Sequence, residues 1–489
     1  MPITRIPIWA ALCMLSMCVP AAQAQQSEEK PEGKAEQPIP AYRSPLASAA
    51  ENGDDEGLFP DPQKLAPDNR SLAGAQLFSL GELATGHSYW QPHFDFTTTV
   101  DSNGLSSTGN TGWTTWSSFY GGVDLHRISG NSSLTLSYMG GAMVSNDGNS
   151  NNGIVQDMQF GEKLSFRRAT LSILDDLSYL PESAFGFPVP GGISLPGAGS
   201  IGLQPGLPPG QSILTAQGQR VSNAFVPQVD VALTSRSSLT FVGSYSLLHY
   251  FDDPLLNYYS AGIQAGYNYQ MSRKDSLAVL YRFSAFRYSN FDQSIDDQVV
   301  QVSYGRRVTG KLAFQIGAGP EFTSSTIPIT GTGGTGTGTP LGSTTGVYWS
   351  LNSSLTYQLI RTHLGLTYSH GVSGGSGVQA GSVADTVTAN VSRQLSRTLS
   401  GMASMGYARN NGLTVGIPTA ATAAQTFGYW TASAGLNHPM GRTMNLGLNY
   451  ILQYQGSNLS FCIGPTCGSS LTRHEISLTL GWRERPIPF

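Results

Sequence analysis

From residue 89 to residue 482 apolar and polar side chains alternate one by one. Leu134, Leu136, Tyr138, Gly140, Ala142 and Val144 share one face of their segment. Tyr259, Ala261, Ile263, Ala265, Tyr267 and Tyr269 share another, with Ser260, Gly262, Gln264, Gly266 and Asn268 opposite. A period of two is the mark of an extended strand whose two faces meet different surroundings. The pattern predicts eighteen strands, centred on 90–101, 115–126, 133–144, 155–166, 169–180, 221–233, 239–250, 258–270, 276–287, 297–306, 311–322, 346–358, 363–372, 382–393, 398–408, 426–437, 443–454 and 471–482. Most are about 10 to 13 residues long, enough to cross a bilayer at a steep tilt.

The connections alternate in length. Short turns near 127–132, 167–168, 234–238, 271–275, 307–310, 359–362, 394–397 and 438–442 interleave with long loops, the longest at 181–220. A soluble β-sandwich would not alternate loops this way, and its outer faces would be polar. The fold class expected is all-β: a single antiparallel transmembrane β-barrel of about 18 strands behind a disordered N-terminal segment.

The first residues read as an export signal. Arg5 precedes an apolar run from Ile6 to Val19, followed by Ala22-Gln23-Ala24, which makes residues 1–24 a signal peptide. The run is short for a membrane anchor, and Met17 before Cys18 disfavours a lipoprotein. Past it no apolar stretch reaches the length of a helical span. Residues 25–88 carry Gln, Glu, Lys, Pro, Asn and Asp in no period and read as a flexible periplasmic segment. Residues 89–482 make the barrel and 483–489 a C-terminal tail.

Composition narrows the picture. Only 12% of residues are charged while 39% are apolar and 58 are Gly, a poor recipe for a soluble enzyme. A net charge of −4 argues against a nucleic-acid partner. Trp90, Trp116, Tyr179, Tyr250, Tyr304, Trp349, Tyr357, Tyr368, Trp430, Tyr454 and Trp482 sit near segment ends, as interfacial girdles would. Cys462 and Cys467 remain after export. Their spacing across Ile-Gly-Pro-Thr and the oxidising compartment predict a disulfide within an outer loop.

No catalytic, metal or cofactor constellation stands out. The eight His are scattered without metal-ligand spacing, the Gly-Thr repeats at 331–338 lack the ending of a phosphate loop, and there is no nucleophile elbow. The chain is therefore not expected to be an enzyme. The wall is more informative. Parity assigns Asp95, Asp101, Asp124, Asp157, Asp176, Asp230, Glu321 and Glu475 inward against Lys163 and Arg282, among small polar residues such as Gln264 and Asn445. That excess of acids predicts a modest preference for cations. Glu162 and Asp175 break the pattern, because parity points them at lipid. A β-bulge that shifts the register is the preferred explanation, ahead of a subunit contact.

By its alternation, loop lengths and closing pattern Ile476, Leu478, Leu480 and Trp482, the chain resembles a porin-like bacterial outer-membrane β-barrel over residues 89–482. It resembles, more loosely, β-barrel porins linked to exopolysaccharide export. The first resemblance implies a channel for passive diffusion of small polar solutes in the outer membrane of a Gram-negative cell. Its partners would be the lipid bilayer and the barrel-assembly machinery, with a homo-oligomer left open. The second implies a barrel component of polysaccharide export. A structural outer-membrane protein without a conducting pore is the remaining alternative. The porin resemblance also implies that the third outer loop, from Pro181 to about Arg220, constricts the channel. Phe185, Phe187, Ile193 and Leu203 make that loop too apolar to favour full solvation. Its only charges are Glu182 and Arg220, so selection by size is expected there.

Overall fold

The computed structural model describes residues 88–102, 113–145, 152–180, 220–251, 257–289, 293–327, 342–376, 379–413, 426–463 and 466–489. The signal peptide, the segment 25–87 and the loop 181–219 with Phe185, Phe187, Ile193 and Leu203 lie outside the described residues.

Eighteen long strands follow one another: β1 (Tyr89–Asp101), β2 (Thr114–Ser129), β3 (Ser132–Ser145), β4 (Gly153–Ser165), β5 (Ala169–Leu180), β6 (Arg220–Ala232), β7 (Ser237–Tyr250), β8 (Tyr258–Gln270), β9 (Asp275–Tyr288), β10 (Ser294–Arg307), β11 (Leu312–Ile327), β12 (Gly342–Gln358), β13 (Thr362–Ser376), β14 (Gln379–Gln394), β15 (Ser400–Gly412), β16 (Thr426–Met440), β17 (Met444–Ile463) and β18 (Thr466–Arg483). Each pairs antiparallel with its sequence neighbours, and β1 also pairs with β18, so the sheet closes into a barrel. Closure joins the first and last strands, so the sheet has no free terminal strand.

One end of the barrel carries the short turns. Gly130 (φ 55°) and Gly441 (φ 77°) take the left-handed conformation that two of these tight connections need. The chain beyond β18 also lies at this end. A two-residue β19 (Ile487–Pro488) continues along β1, with Ile487 opposite Trp90, and the Glu484 N–H donates to the Pro92 carbonyl at 3.0 Å. Residues 483–489 therefore extend the closing seam.

The expected bulge near Glu162 and Asp175 is absent. The registers β3–β4, β4–β5 and β5–β6 run without a shift, from Ser132↔Leu164 through Gln156↔Tyr179 to Leu180↔Arg220. Both acids keep the outward parity and find polar neighbours. Ser132 Oγ donates to Glu162 Oε1 at 3.4 Å and Asn223 Nδ2 donates to Asp175 Oδ1 at 2.8 Å. A register slip would turn every apolar residue of those strands inward, a larger cost than two hydrogen-bonded acids.

Irregularities occur elsewhere. β17 and β18 shift register between Gly456 and Phe461 and then continue to the pair Cys462↔Cys467. β12 and β13 pair only from Gln358↔His363 to Leu351↔His370, although both strands run on toward the long-loop end.

Candidate functional site

The alternation places two chemistries back to back. The outward face carries Trp90, Phe94, Phe119, Ile154, Ile263, Val302, Leu366, Leu448, Leu478 and Trp482, all exposed, with Ile263 at 62%. The enclosed face is built from buried polar groups, among them Thr97, Ser118, Ser246, Ser260, Gln264, Ser303, Asn352 and Gln455. Trp116 and Tyr250 belong to this enclosed face, opposite Thr99 and Arg220, and so do not join an outer girdle. Trp90, Trp349, Tyr454 and Trp482 are exposed on the outside.

Charges on the enclosed face gather in three groups. Near the short turns, Asp124 accepts a hydrogen bond from Ser137 Oγ at 2.7 Å and faces His93 Nδ1 at 3.5 Å and Arg483 Nη2 at 3.8 Å. Asp95 and Asn445 stand beside them, each directly opposite Gly481 in register. A side chain at 481 would overlap both, so the glycine is what allows the close packing there.

The second group lies at mid-height. Gln264, Arg282, Val299 and Glu321 form one rung across β8 to β11, because each stands opposite the next in register. Arg282 Nη2 is 3.7 Å from Asp297 Oδ2 and 3.7 Å from Glu321 Oε1. Thr323 Oγ1 donates to Asp297 Oδ1 at 2.9 Å. A single guanidinium thus faces two buried carboxylates and offsets one of their charges.

The third group closes the far end of the β1–β18 seam. Arg473 reaches Asp101 Oδ2 through Nε at 2.7 Å and Nη2 at 2.6 Å, and Glu475 Oε1 through Nη2 at 2.8 Å.

The other sequence-assigned wall residues stand apart from these groups. Asp230 accepts from Thr240 Oγ1 at 2.5 Å and Gln228 Nε2 at 2.6 Å. Asp157 and Asp176 are on the enclosed parity of β4 and β5, two rungs apart, and Lys163 is exposed near the short-turn end of β4. Asp297, Arg220, Arg473 and Arg483 share the enclosed face and were not in the sequence assignment. With them the wall is more balanced in charge than eight acids against two bases.

A hairpin also enters the lumen. Beyond His370, β13 leaves β12 and leans over β11 toward β9 and β10. Its Val372 N–H donates to Glu321 Oε1 at 3.0 Å, and Tyr288 Oη donates to the Gly374 carbonyl. Val372 and Leu413 pack on an apolar cluster of Leu248, Tyr250, Tyr258, Phe286, Tyr288 and Ile295. Gly374 lies against the Phe286 ring, where a larger residue would collide.

Outside, at the level where the two strands part, Trp349 stacks on His370 with centroids 3.8 Å apart and planes at 14°. His370 Nδ1 is 2.7 Å from Asp385 Oδ1, which also accepts from Tyr368 Oη at 3.0 Å. Cys462 and Cys467 are directly opposed residues of the β17–β18 ladder, not members of an irregular loop. Among the described residues no cluster of three or more His, Cys, Asp or Glu is placed to hold a metal ion.

No known protein family matches the chain, and no curated protein does. Solved structures do. The outer membrane protein OpdK from Pseudomonas aeruginosa is 10% identical, covering 81% of this chain and 99% of that one, with a TM-score of 0.38. OccK2 (OpdF) from Pseudomonas aeruginosa is 11% identical over 82% of this chain and 98% of that one, also at 0.38. OccAB3 from Acinetobacter baumannii is 10% identical over 81% of this chain and 99% of that one, at 0.39.

Proposed function

We propose that the chain is an outer-membrane channel through which small polar solutes diffuse passively. The observation that carries this reading is the inversion of faces. A closed barrel that exposes Ile263, Phe241, Val302 and Leu478 and encloses Arg282, Asp297, Glu321 and Gln264 is suited to lipid outside and water inside. In water the same outward face would be one continuous apolar surface, far beyond what a soluble monomer tolerates. Eighteen strands enclose a lumen wider than small side chains fill. Nothing in this reading requires covalent chemistry: the wall offers hydrogen-bonding groups and paired charges that a passing solute exchanges for water.

The loop 181–220 is proposed as the constriction, on the strength of its length and apolar composition. The paired charges at Arg282 lie at mid-height, where they act on whatever passes along the wall. The test is a planar-bilayer recording of the purified, full-length protein. Stepwise ohmic currents are expected. A preparation that shows the gel shift of a folded barrel yet never conducts would overturn the channel in favour of a structural role.

A further inference from the structure

The ladder between β12 and β13 runs from Gln358↔His363 to Leu351↔His370. Past that last rung β12 stays paired with β11 to Ile327↔Gly342, and β13 stays paired with β14 to Ser376↔Gln379. Trp349 stacks on His370 across the joint, so the wall is sealed where the two strands part. The stretch of β13 from Gly371 to Ser376 therefore carries an edge that β12 does not serve. Backbone groups held away from bulk water need partners. Two on this stretch are met by side chains: the Val372 N–H donates to Glu321 Oε1 at 3.0 Å, and Tyr288 Oη donates to the Gly374 carbonyl. Residues two apart in a strand turn their backbone groups to the same edge, so both contacts fall on one edge. Glu321 and Tyr288 are buried residues of the enclosed face, on β11 and β9.

Packing fixes the same placement. Val372 and Leu413 sit on the cluster that includes Phe286 and Ile295. Gly371 lies beside the Glu321 carboxylate and Ser350 Oγ, Gly374 against the Phe286 ring and Gly381 against Ile295. The Leu413 N–H donates to the Gly381 carbonyl at 3.2 Å, so the end of β15 travels with the hairpin. The reach agrees as well. Residues 371 to 376 extend ~20 Å at about 3.4 Å each, and three strand spacings from β13 to β10 measure about 15 Å. The hairpin thus spans β11 and β12 on the lumen side. Eighteen strands about 4.8 Å apart, tilted by roughly 40°, enclose a ring about 36 Å across, of which a hairpin ~20 Å long and about 10 Å thick takes roughly a fifth.

We infer that Glu321 and Tyr288 set the width of the lumen, and with it the size of solute that passes, by holding this hairpin inward in place of the β12 ladder. They are positioning residues: each supplies one of the bonds that β12 would have given. The edges of β12 and β13 beyond Leu351↔His370 are complementary, so the competing placement is the hairpin zipped onto β12, with the lumen wider. Ionised Glu321 is suited to its part, because Arg282 faces Asp297 as well and the surplus carboxylate charge favours a further N–H donor. The inference rests on the channel reading and names residues that tune it.

The test uses the full-length protein in proteoliposomes. Continuing the register past Leu351↔His370 sets position 348 opposite 373. A Tyr348→Cys/Ser373→Cys pair, with Cys462 and Cys467 replaced by Ser, joins only when the hairpin lies on β12. Adding Glu321→Ala and Tyr288→Phe should speed this cross-link at least tenfold, and each change alone should speed it less. Glu321→Gln keeps an acceptor oxygen and should stay near the parent rate. These variants are mild: Glu321→Ala leaves Arg282 facing Asp297 with one charge each, and Tyr288→Phe keeps the ring in its cluster. The gel shift of a folded barrel confirms each preparation. Locking the hairpin onto β12 frees roughly a fifth of the bore, so single-channel conductance should rise by about a quarter. Raffinose entry relative to glycerol, read by liposome swelling, should rise with it. Equal cross-linking rates in all backgrounds would overturn the hold of Glu321 and Tyr288. A cross-link that forms and leaves both conductance and the sugar ratio at parent values would overturn their control of width. A folded parent that never conducts, yet shows the cross-linking difference, removes the channel reading and leaves the hold on the hairpin standing.

Discussion

Arg473 holds Asp101 with two nitrogens, at 2.6 and 2.7 Å, and so ties β18 to β1 where the barrel closes. Both side chains are buried, and Glu475 shares the same guanidinium. Arg473→Met leaves two enclosed carboxylates facing each other without their cation. Removing one partner of a buried pair costs about 3 kcal/mol or more. The variant should convert from the folded to the unfolded gel band at a lower temperature than the parent. Arg236→Met, in an exposed turn, should not. Equal conversion temperatures for Arg473→Met and the parent would show that the seam does not depend on this pair.

The division of faces is open to direct chemical reading. Cysteines at Leu136, Ile263 and Leu446 lie on the outward parity, and those at Thr135, Gln264 and Asn445 on the enclosed one. In proteoliposomes the first three should resist a membrane-impermeant maleimide and the second three should react. The opposite pattern would mean that the lumen, not the outer surface, is the apolar side.

Selectivity should respond to the mid-height group with a defined sign. Arg282 faces both Asp297 and Glu321. Arg282→Gln leaves two carboxylates and should move the reversal potential in a salt gradient toward cation preference. Asp297→Asn should move it the other way. Shifts of the same sign in both variants would place these charges off the conduction path. Deleting 186–216 should raise single-channel conductance severalfold if that loop is the constriction, and leave it unchanged if it is an external flap.

Cys462 and Cys467 stand opposite each other in the ladder, where antiparallel Cα atoms come within about 4.5 to 5.5 Å, a separation a disulfide spans. Mass spectrometry of the unreduced peptide should find them joined. Two thiols freely alkylated in protein taken directly from membranes would rule the bond out.

The strands were legible because enclosed and outward positions alternate through β7, β8 and β9, with polar residues such as Ser244, Ser246, Ser260 and Gln264 marking the enclosed face. The reading failed where alternation itself is interrupted. Asp296 and Asp297 are adjacent acids, so no parity rule says which one is enclosed. Arg473, His474 and Glu475 form a charged run with the same defect. The ladder of β17 beyond Tyr454 was missed because its register shifts after Gly456. The peeling of β13 was invisible for a different reason. Gly371, Gly374 and Gly375 have no side chain to declare a face, and what bends them inward is a contact with Phe286 and Tyr288, some 90 positions earlier in the chain. The trio Trp349, His370 and Asp385 likewise joins three strands, and no spacing along one segment encodes it.

The β1–β18 seam has a consequence for the order of events during assembly. Its partners, Asp101 and Glu475, are almost the whole barrel apart in sequence, so this is the ladder with the greatest loop-closure entropy to overcome. Every other ladder forms between successive strands and is available early. Until the seam zips, an almost complete sheet presents two bare edges, which is the state most open to pairing with another chain. The hydrogen bond from Glu484 to Pro92 and the β19 contact with Trp90 act at one end of that seam, where they serve as the fastener that turns a sticky ribbon into a sealed tube.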